Sequence, residues 1–135
     1  MEIQNANQTS TTNPTELKIA FTNCEFDGNT AKTTGGAVEI RTSSCALIDG
    51  IKAVNNKATD NGAVVYLTSN HSRLYLTGEV QLNGNTAKNG NFAFLYNNSY
   101  TNPPKIYTTH SSSAAWYSQV KGNTSAVVFD LTVLP

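Results

Sequence analysis

With 135 residues the chain has room for one core, not two. Nine basic residues balance nine acidic ones and only 13 per cent of residues are charged, so no electrostatic footprint for nucleic acid or an anionic membrane exists. No apolar run approaches the roughly 20 residues of a membrane-spanning helix, and polarity comes from Asn, Thr, Ser and Gly, a composition of turns and strands rather than helices.

Residues 1–15 read as a polar leader or partial coil. The opening "MEIQNANQTSTTNP" lacks the basic and apolar parts of a signal peptide, so an exported form is expected to be a piece of a longer precursor carrying signal and anchor elsewhere. Residues 16–100 hold a repeat. The first strand expected is "LKIAF" from Leu17, followed by "CEFDGNTAKTTGGAVEI" from Cys24. "CALI" from Cys45 then precedes "IKAVNNKATDNGAVVYL" from Ile51, and "RLYL" from Arg73 precedes "VQLNGNTAKNGNFAFLY" from Val80. Asn29, Asn56 and Asn85 correspond at spacings of 27 and 29, each followed two positions on by Ala31, Ala58 or Ala87.

Each unit reads as strand, polar corner, glycine corner, strand. Cys24 and Phe26, Ile51 and Ala53, Val80 and Leu82 fall on one face, with Glu25, Lys52 and Gln81 on the other. Val38 and Ile40 alternate with Glu39 and Arg41; the second copy sets Val65 and Leu67 on that outer face, which marks either a partner surface or a register slip of one residue. Three short strands per unit of about 28 residues is the pattern of one coil of a parallel β-helix, about four coils in all. A sandwich or barrel would explain hairpin-like "LNGNT" at 82–86 but not the return of the same asparagine after a whole set of strands.

Stacked coils explain the residue types. Inward asparagines at equivalent corners form a hydrogen-bonded ladder, Asn29, Asn56 and Asn85. Gly35, Gly36, Gly62 and Gly90 supply positive φ or close backbone approach. Ala37 and Ala63 keep the interior narrow, and Phe26 fills its own coil. Asp27, Lys32, Thr33 and Thr34 are the residues such a corner displays.

Residues 101–135 read as an irregular last coil or cap. Pro103 and Pro104 enforce a turn, Trp116 and Tyr117 are bulky enough to cover an open coil, and "AVVFDLTVL" from Ala126 reads as one strand.

Chemistry is sparse. Cys24 and Cys45 permit one disulfide and otherwise serve as small buried apolar residues; no metal-ligand spacing occurs, and no cofactor is expected. His71 in "SNHS" and His110 in "TTHSS" are expected to be exposed in loops. Asn7, Asn70, Asn97 and Asn123 fit the Asn-x-Ser/Thr pattern, of consequence only in a eukaryotic source. A polysaccharide lyase or hydrolase would need clustered carboxylates; the mixed column Glu25, Lys52 and Gln81 reads instead as a solvated ladder with one weak ion pair. No catalytic residues are assigned. An ice-binding threonine array fails because Lys57 interrupts Thr30 and Thr86.

Phe26, Asn29, Ala31, Gly35, Gly36, Ala37 and Val38 fall at the spacing of the FxxN and GGA(I/L/V) repeats, and residues 24 to about 96 resemble the chlamydial polymorphic membrane protein family. The later copies depart, with Ala53 and Leu82 for the aromatic and "NGAV" and "NGNF" for the double glycine. The resemblance implies a right-handed β-helix within an autotransporter passenger domain, displayed at the cell surface or outer membrane as part of a longer precursor. Phe26, Asn29 and Gly35 through Val38 would be its adhesion motif. The implied partner is a host-cell receptor or glycan, with end-to-end self-association also expected and no membrane contact by this segment. A carbohydrate-active β-helix is the competing function.

Overall fold

A segment that alternates apolar and polar side chains is stable as a strand only where a partner takes up its backbone N–H and C=O groups. In the computed structural model, which describes residues 1–4, 19–42 and 44–131, each such segment pairs with its own equivalent one repeat away. The strands are β1 (Glu2–Gln4), β2 (Ile19–Asp27), β3 (Thr30–Ala31), β4 (Val38–Arg41), β5 (Cys45–Val54), β6 (Lys57–Ala58), β7 (Val65–Leu67), β8 (Arg73–Asn83), β9 (Ala93–Leu95), β10 (Lys105–Thr108), β11 (Val120–Gly122) and β12 (Val127–Val128). They form three sheets of order β1-β4-β7-β9-β11, β12-β10-β8-β5-β2 and β3-β6, with every pairing parallel. The chain is a parallel β-solenoid of about four turns.

The unequal asparagine spacings have a local cause. Ile19 pairs with Ala46 and Asp27 with Val54, a constant step of 27. Between β5 and β8 the step is 28 at Cys45 and Arg73 but 29 from Ile51 and Val80 onward, because β8 takes in one extra residue at a bulge. Val65 and Ala93 then return to 28.

The expectation of three short strands per coil needs correction. "LKIAF" and "CEFD" run together in β2, and the corresponding pairs merge in β5 and β8; Leu17 and Lys18 lie outside the described residues. Each long strand bends at a residue in the left-handed region, Asn23 (φ 49°), Gly50 (83°) or Gly78 (72°). The bend resets the inward alternation, so Ile48 and Ile51, three apart, are both buried.

The core consists of vertical columns. Val38, Val65, Ala93 and Val120 stack in register, as do Ile40, Leu67 and Leu95, and all are buried. Ala46 with Leu74 and Ile48 with Leu76 make the matching columns in β5 and β8. Burying each large aliphatic side chain contributes about 1.5–3 kcal/mol. Val65 and Leu67 therefore point inward opposite Val38 and Ile40, and the outward residue between them is Tyr66, beside Glu39. The slip of one residue, not a partner surface, explains their expected outward position.

Both ends continue the stack. Glu2 to Gln4 pair with Glu39 to Arg41, so part of the polar leader is a strand; residues 5–15 lie outside the described ones. Lys105 pairs with Arg73, Val120 with Ala93 and Val127 with Ile106, giving steps of 32, 27 and 21, so the tail forms a further coil around an inserted loop. Buried Arg73 ties that loop down, donating from Nη1 to the Pro103 carbonyl at 3.1 Å. A short 3-10 turn at Ala115–Gln119 stands between β10 and β11, where earlier coils have the asparagine corner, and a second at Thr124–Ala126 leads from β11 into β12. Buried Trp116 sits edge-on to Phe92 at 5.9 Å and stacks on Phe129 at 6.4 Å. "AVVFDLTVL" is not one strand: Ala126 ends a 3-10 turn, the strand covers only Val127 and Val128, and residues 132–135 lie outside the described ones.

Neither histidine is an exposed loop residue. The ring of His110 is half-buried, donating from Nε2 to the Gly78 carbonyl at 2.6 Å and lying edge-on to Trp116. His71 is buried at φ 64°, with its N–H donating to the Asn102 carbonyl at 2.8 Å. Burial, reinforced by the Arg73 charge, holds the His71 imidazole below its usual value. The fold therefore prefers neutral His71, and the unfolded chain takes up the proton first as pH falls. Stability from this site is complete above about pH 6.5 and is lost below it. His71→Asn, which tolerates the left-handed backbone, is expected to flatten the loss of stability between about pH 7 and about pH 5, read by urea unfolding at each pH.

Candidate binding surface

The asparagine corner is built from a left-handed residue followed by an inward amide. Asn56, fully buried, donates from Nδ2 to the Phe26 carbonyl at 2.8 Å and to Asn85 Oδ1 at 2.9 Å. Its own Oδ1 accepts from the N–H and Nδ2 of Asn29, at 3.1 and 3.0 Å. Asn85 Nδ2 continues the series to the Ala53 carbonyl at 2.8 Å. Three rungs thus cross-link successive coils through their side chains.

The remaining residues of the repeat signature are mostly internal. Phe26 is half-buried against the core and edge-on to Phe21 at 5.5 Å. Gly35, Gly36, Ala37 and Val38 are buried. Gly35 stands at φ 63° above Gly62 and Gly90, at 70° and 78°. A Cβ on Gly36 would run into the carbonyl oxygen of Ala63 in the next coil. What this corner offers to solvent is Asp27, Lys32 and Thr33, all exposed, with Thr34 half-buried. Those groups and exposed Asn29, and not the buried Gly35 to Val38 run, are available to a partner.

A second feature lies on the outer face of the β4-β7-β9-β11 sheet. Glu39, Tyr66, Phe94 and Lys121 stand in register across four coils. Tyr66 and Phe94 stack at 6.0 Å and 16°, Tyr96 tilts against Tyr66 at 6.4 Å, and Tyr100 meets Tyr96 edge-on at 6.2 Å. The Tyr100 hydroxyl and Thr68 Oγ1 share a hydrogen bond at 3.3 Å. Burial pushes the Tyr66 hydroxyl up, so it stays protonated and able to donate at neutral pH. Charged residues rim the strip: Arg41 Nη1 lies 3.2 Å from Glu2 Oε2 and 3.7 Å from Glu39 Oε1. Burial raises the Glu39 carboxyl, and the Arg41 charge opposes that rise. Such ion pairs add little stability; their effect is to hold polar groups beside an aromatic surface. The sequence reading missed this strip. Its signal is an aromatic four residues after the corner glycine in the second and third copies, Gly62 to Tyr66 and Gly90 to Phe94.

Other expected features fall into place without forming a site. Glu25, Lys52 and Gln81 are in register, with Lys52 Nζ 4.0 Å from Glu25 Oε1 and both side chains more than half exposed. They line an open depression of about 230 Å³ with Asn23 and Glu79. Glu25 and Glu39 belong to different sheets and do not converge. Thr30, Lys57 and Thr86 align with the lysine in the middle. Cys24, half-buried, and Cys45, buried, are not joined by a disulfide. Among the described residues no group of three His, Cys, Asp or Glu side chains is placed to hold a metal. Asn70 and Asn97 are exposed and Asn123 half-buried, while Asn7 lies outside the described residues.

The fold and this surface define the class: a parallel β-solenoid of repeated coils with an asparagine ladder inside and an aromatic strip on the outer face of the β4-β7-β9-β11 sheet. Comparison with known protein families, curated proteins and solved structures gives no match.

Proposed function

We propose that this solenoid is a non-enzymatic segment of a surface-displayed passenger domain that adheres to a host-cell receptor or glycan. The observation that carries the reading is the outward strip of half-buried Phe94, Tyr96 and Tyr100, backed by buried Tyr66 and rimmed by Glu39, Arg41 and Lys121. Aromatic side chains flanked by polar groups are the usual anchors of recognition, because they supply large contact area at small entropy cost. An open face spanning several coils suits a large partner better than turnover of a small substrate, which calls for a concave site. The likeness of Phe26 to Val38 to the repeats of polymorphic membrane proteins supports the same reading, with the signature acting by shaping the corner that presents Asp27, Lys32 and Thr33.

Replacing Phe94 and Tyr96 together by serine is expected to weaken binding of the purified chain to host cells at least tenfold, with the far-ultraviolet dichroism unchanged. Glycosidase treatment of the cells separates a glycan from a protein receptor. Unchanged binding by the double variant would remove this face from the proposal. Polysaccharide turnover lost in Glu39→Gln or Glu25→Gln would replace adhesion with catalysis.

A further inference from the structure

The two ends of the stack differ. At the C-terminal end the outermost strand of the long sheet, β12, has only two residues, and Trp116, Tyr117 and Phe129 pack together beside it. At the N-terminal end the outermost strand is β2, nine residues long, paired among the described residues with β5 alone. A long edge presents a row of free N–H and C=O groups and is a template for another strand.

Three observations show what that template fits. The ladder is the first. Inside the stack each asparagine oxygen accepts two bonds from the asparagine above it: Asn56 Oδ1 from Asn29, and Asn85 Oδ1 from the N–H and Nδ2 of Asn56. Asn29 makes the downward bonds of a rung, yet among the described residues nothing donates to its Oδ1, and it is exposed. The inward side chains give the second. Ile19, Phe21 and Phe26 are half-buried, whereas the residues beneath them, Ala46, Ile48 and Ala53, are fully buried. Third, β1 already lies one level above β4 in parallel register, so a strand from the next level up is accepted at this end.

We propose that the N-terminal end of the stack binds an extended strand of the same repeat type, donated in parallel by another polypeptide, with an asparagine seated over Asn29. The strand completes the edge of β2, its asparagine N–H and Nδ2 donate to Asn29 Oδ1, and its alternate apolar side chains cover Phe21 and Phe26. The coil-to-coil contact already made by β2 and β5 is the template, extended by one level. Among the described residues the C-terminal coil offers no ladder asparagine, so the donated strand is not expected to be that end of an identical copy. This inference goes beyond the adhesive reading and stands without it, since it concerns the end of the stack rather than its outer face.

The probe is a labelled peptide of residues 19–31 carrying Cys24→Ser, titrated against the full chain by fluorescence anisotropy. Saturable binding is expected, weakened at least tenfold by Asn29→Ala in the chain and to the same extent by Asn29→Ala in the peptide, with no further loss when both are changed. Hydrogen exchange is expected to slow at the β2 amides when peptide is added and not at those of β12. Asn29→Ala is at an exposed rung, and its thermal melt guards against simple unfolding; a scrambled peptide is the second control. No saturable binding, or binding indifferent to both asparagine substitutions, overturns the proposal. A concentration-dependent dimer that persists in Asn29→Ala and binds no peptide overturns it in favour of edge pairing between copies.

Discussion

Asn56→Ala is expected to lower the unfolding free energy by about 3 kcal/mol and the melting temperature by roughly 10 °C. The side chain makes or receives four hydrogen bonds, to the Phe26 carbonyl, Asn85 Oδ1, and the Asn29 N–H and Nδ2, in a site with no exposure. Its removal leaves those partners short of bonds at depth, and each buried unsatisfied group costs about 1–3 kcal/mol, partly recovered where water enters. Asn29→Ala removes a rung of the same ladder at its solvent-exposed end and is expected to cost no more than about 1 kcal/mol. Urea unfolding of both variants with the parent measures the difference. Equal losses at the two positions would mean that the ladder contributes through corner geometry and not through buried hydrogen bonding.

Gly36→Ala carries the other large effect. The Gly36 N–H donates to the Gly62 carbonyl at 3.1 Å, which fixes the approach of the two coils. An added methyl would overlap the Ala63 carbonyl oxygen and stand 2.8 Å from that of Lys57, both of them backbone atoms held in the next coil. Relief requires parting the coils, at an expected cost of about 3 kcal/mol or more. Gly28 is the matched comparison: it adopts φ 71° but has nothing within 4 Å of the added atom. Gly28→Ala meets only the backbone penalty, about 1 kcal/mol. Chemical denaturation of the two variants side by side tests the distinction, and similar destabilisation would show that conformational preference outweighs the clash at Gly36.

Equivalent residues in a stacked coil share one environment, which is why the repeat was legible from spacing. The columns Asn29–Asn56–Asn85 and Gly35–Gly62–Gly90 can be read by aligning a few letters. Other columns were hidden because two residue types meet the same need. Asn23, Gly50 and Gly78 all adopt positive φ at the strand bends, as do Gly28, Asn55 and Gly84 just before the ladder, so no single letter repeats. The slip at Val65 and Leu67 arose from two inward residues being credited to an outward face, although Val38 pairs with Val65 and Ile40 with Leu67. In the tail, the loop before Lys105 lengthens one step to 32 while a 3-10 turn shortens the next to 27, which erases the period without interrupting the sheets. His71 was misplaced because polar neighbours in "SNHS" suggest a loop tip, whereas the turn folds back under Asn102. The aromatic strip is a long-range assembly of residues about one coil apart, each unremarkable in its own segment.

The chain contains a single tryptophan, and it is the residue wedged between Phe92 and Phe129 in the last coil. Its emission is therefore a spectroscopic label for one end of the solenoid, present without any engineering. Because each coil touches only its neighbours, a solenoid can melt from an end inward. Tryptophan fluorescence then reports fraying of the C-terminal coil, while circular dichroism averages over every coil. If the two denaturation curves separate, the interval between them measures how weakly that last coil is coupled to the rest; if they coincide, the stack unfolds as one cooperative unit.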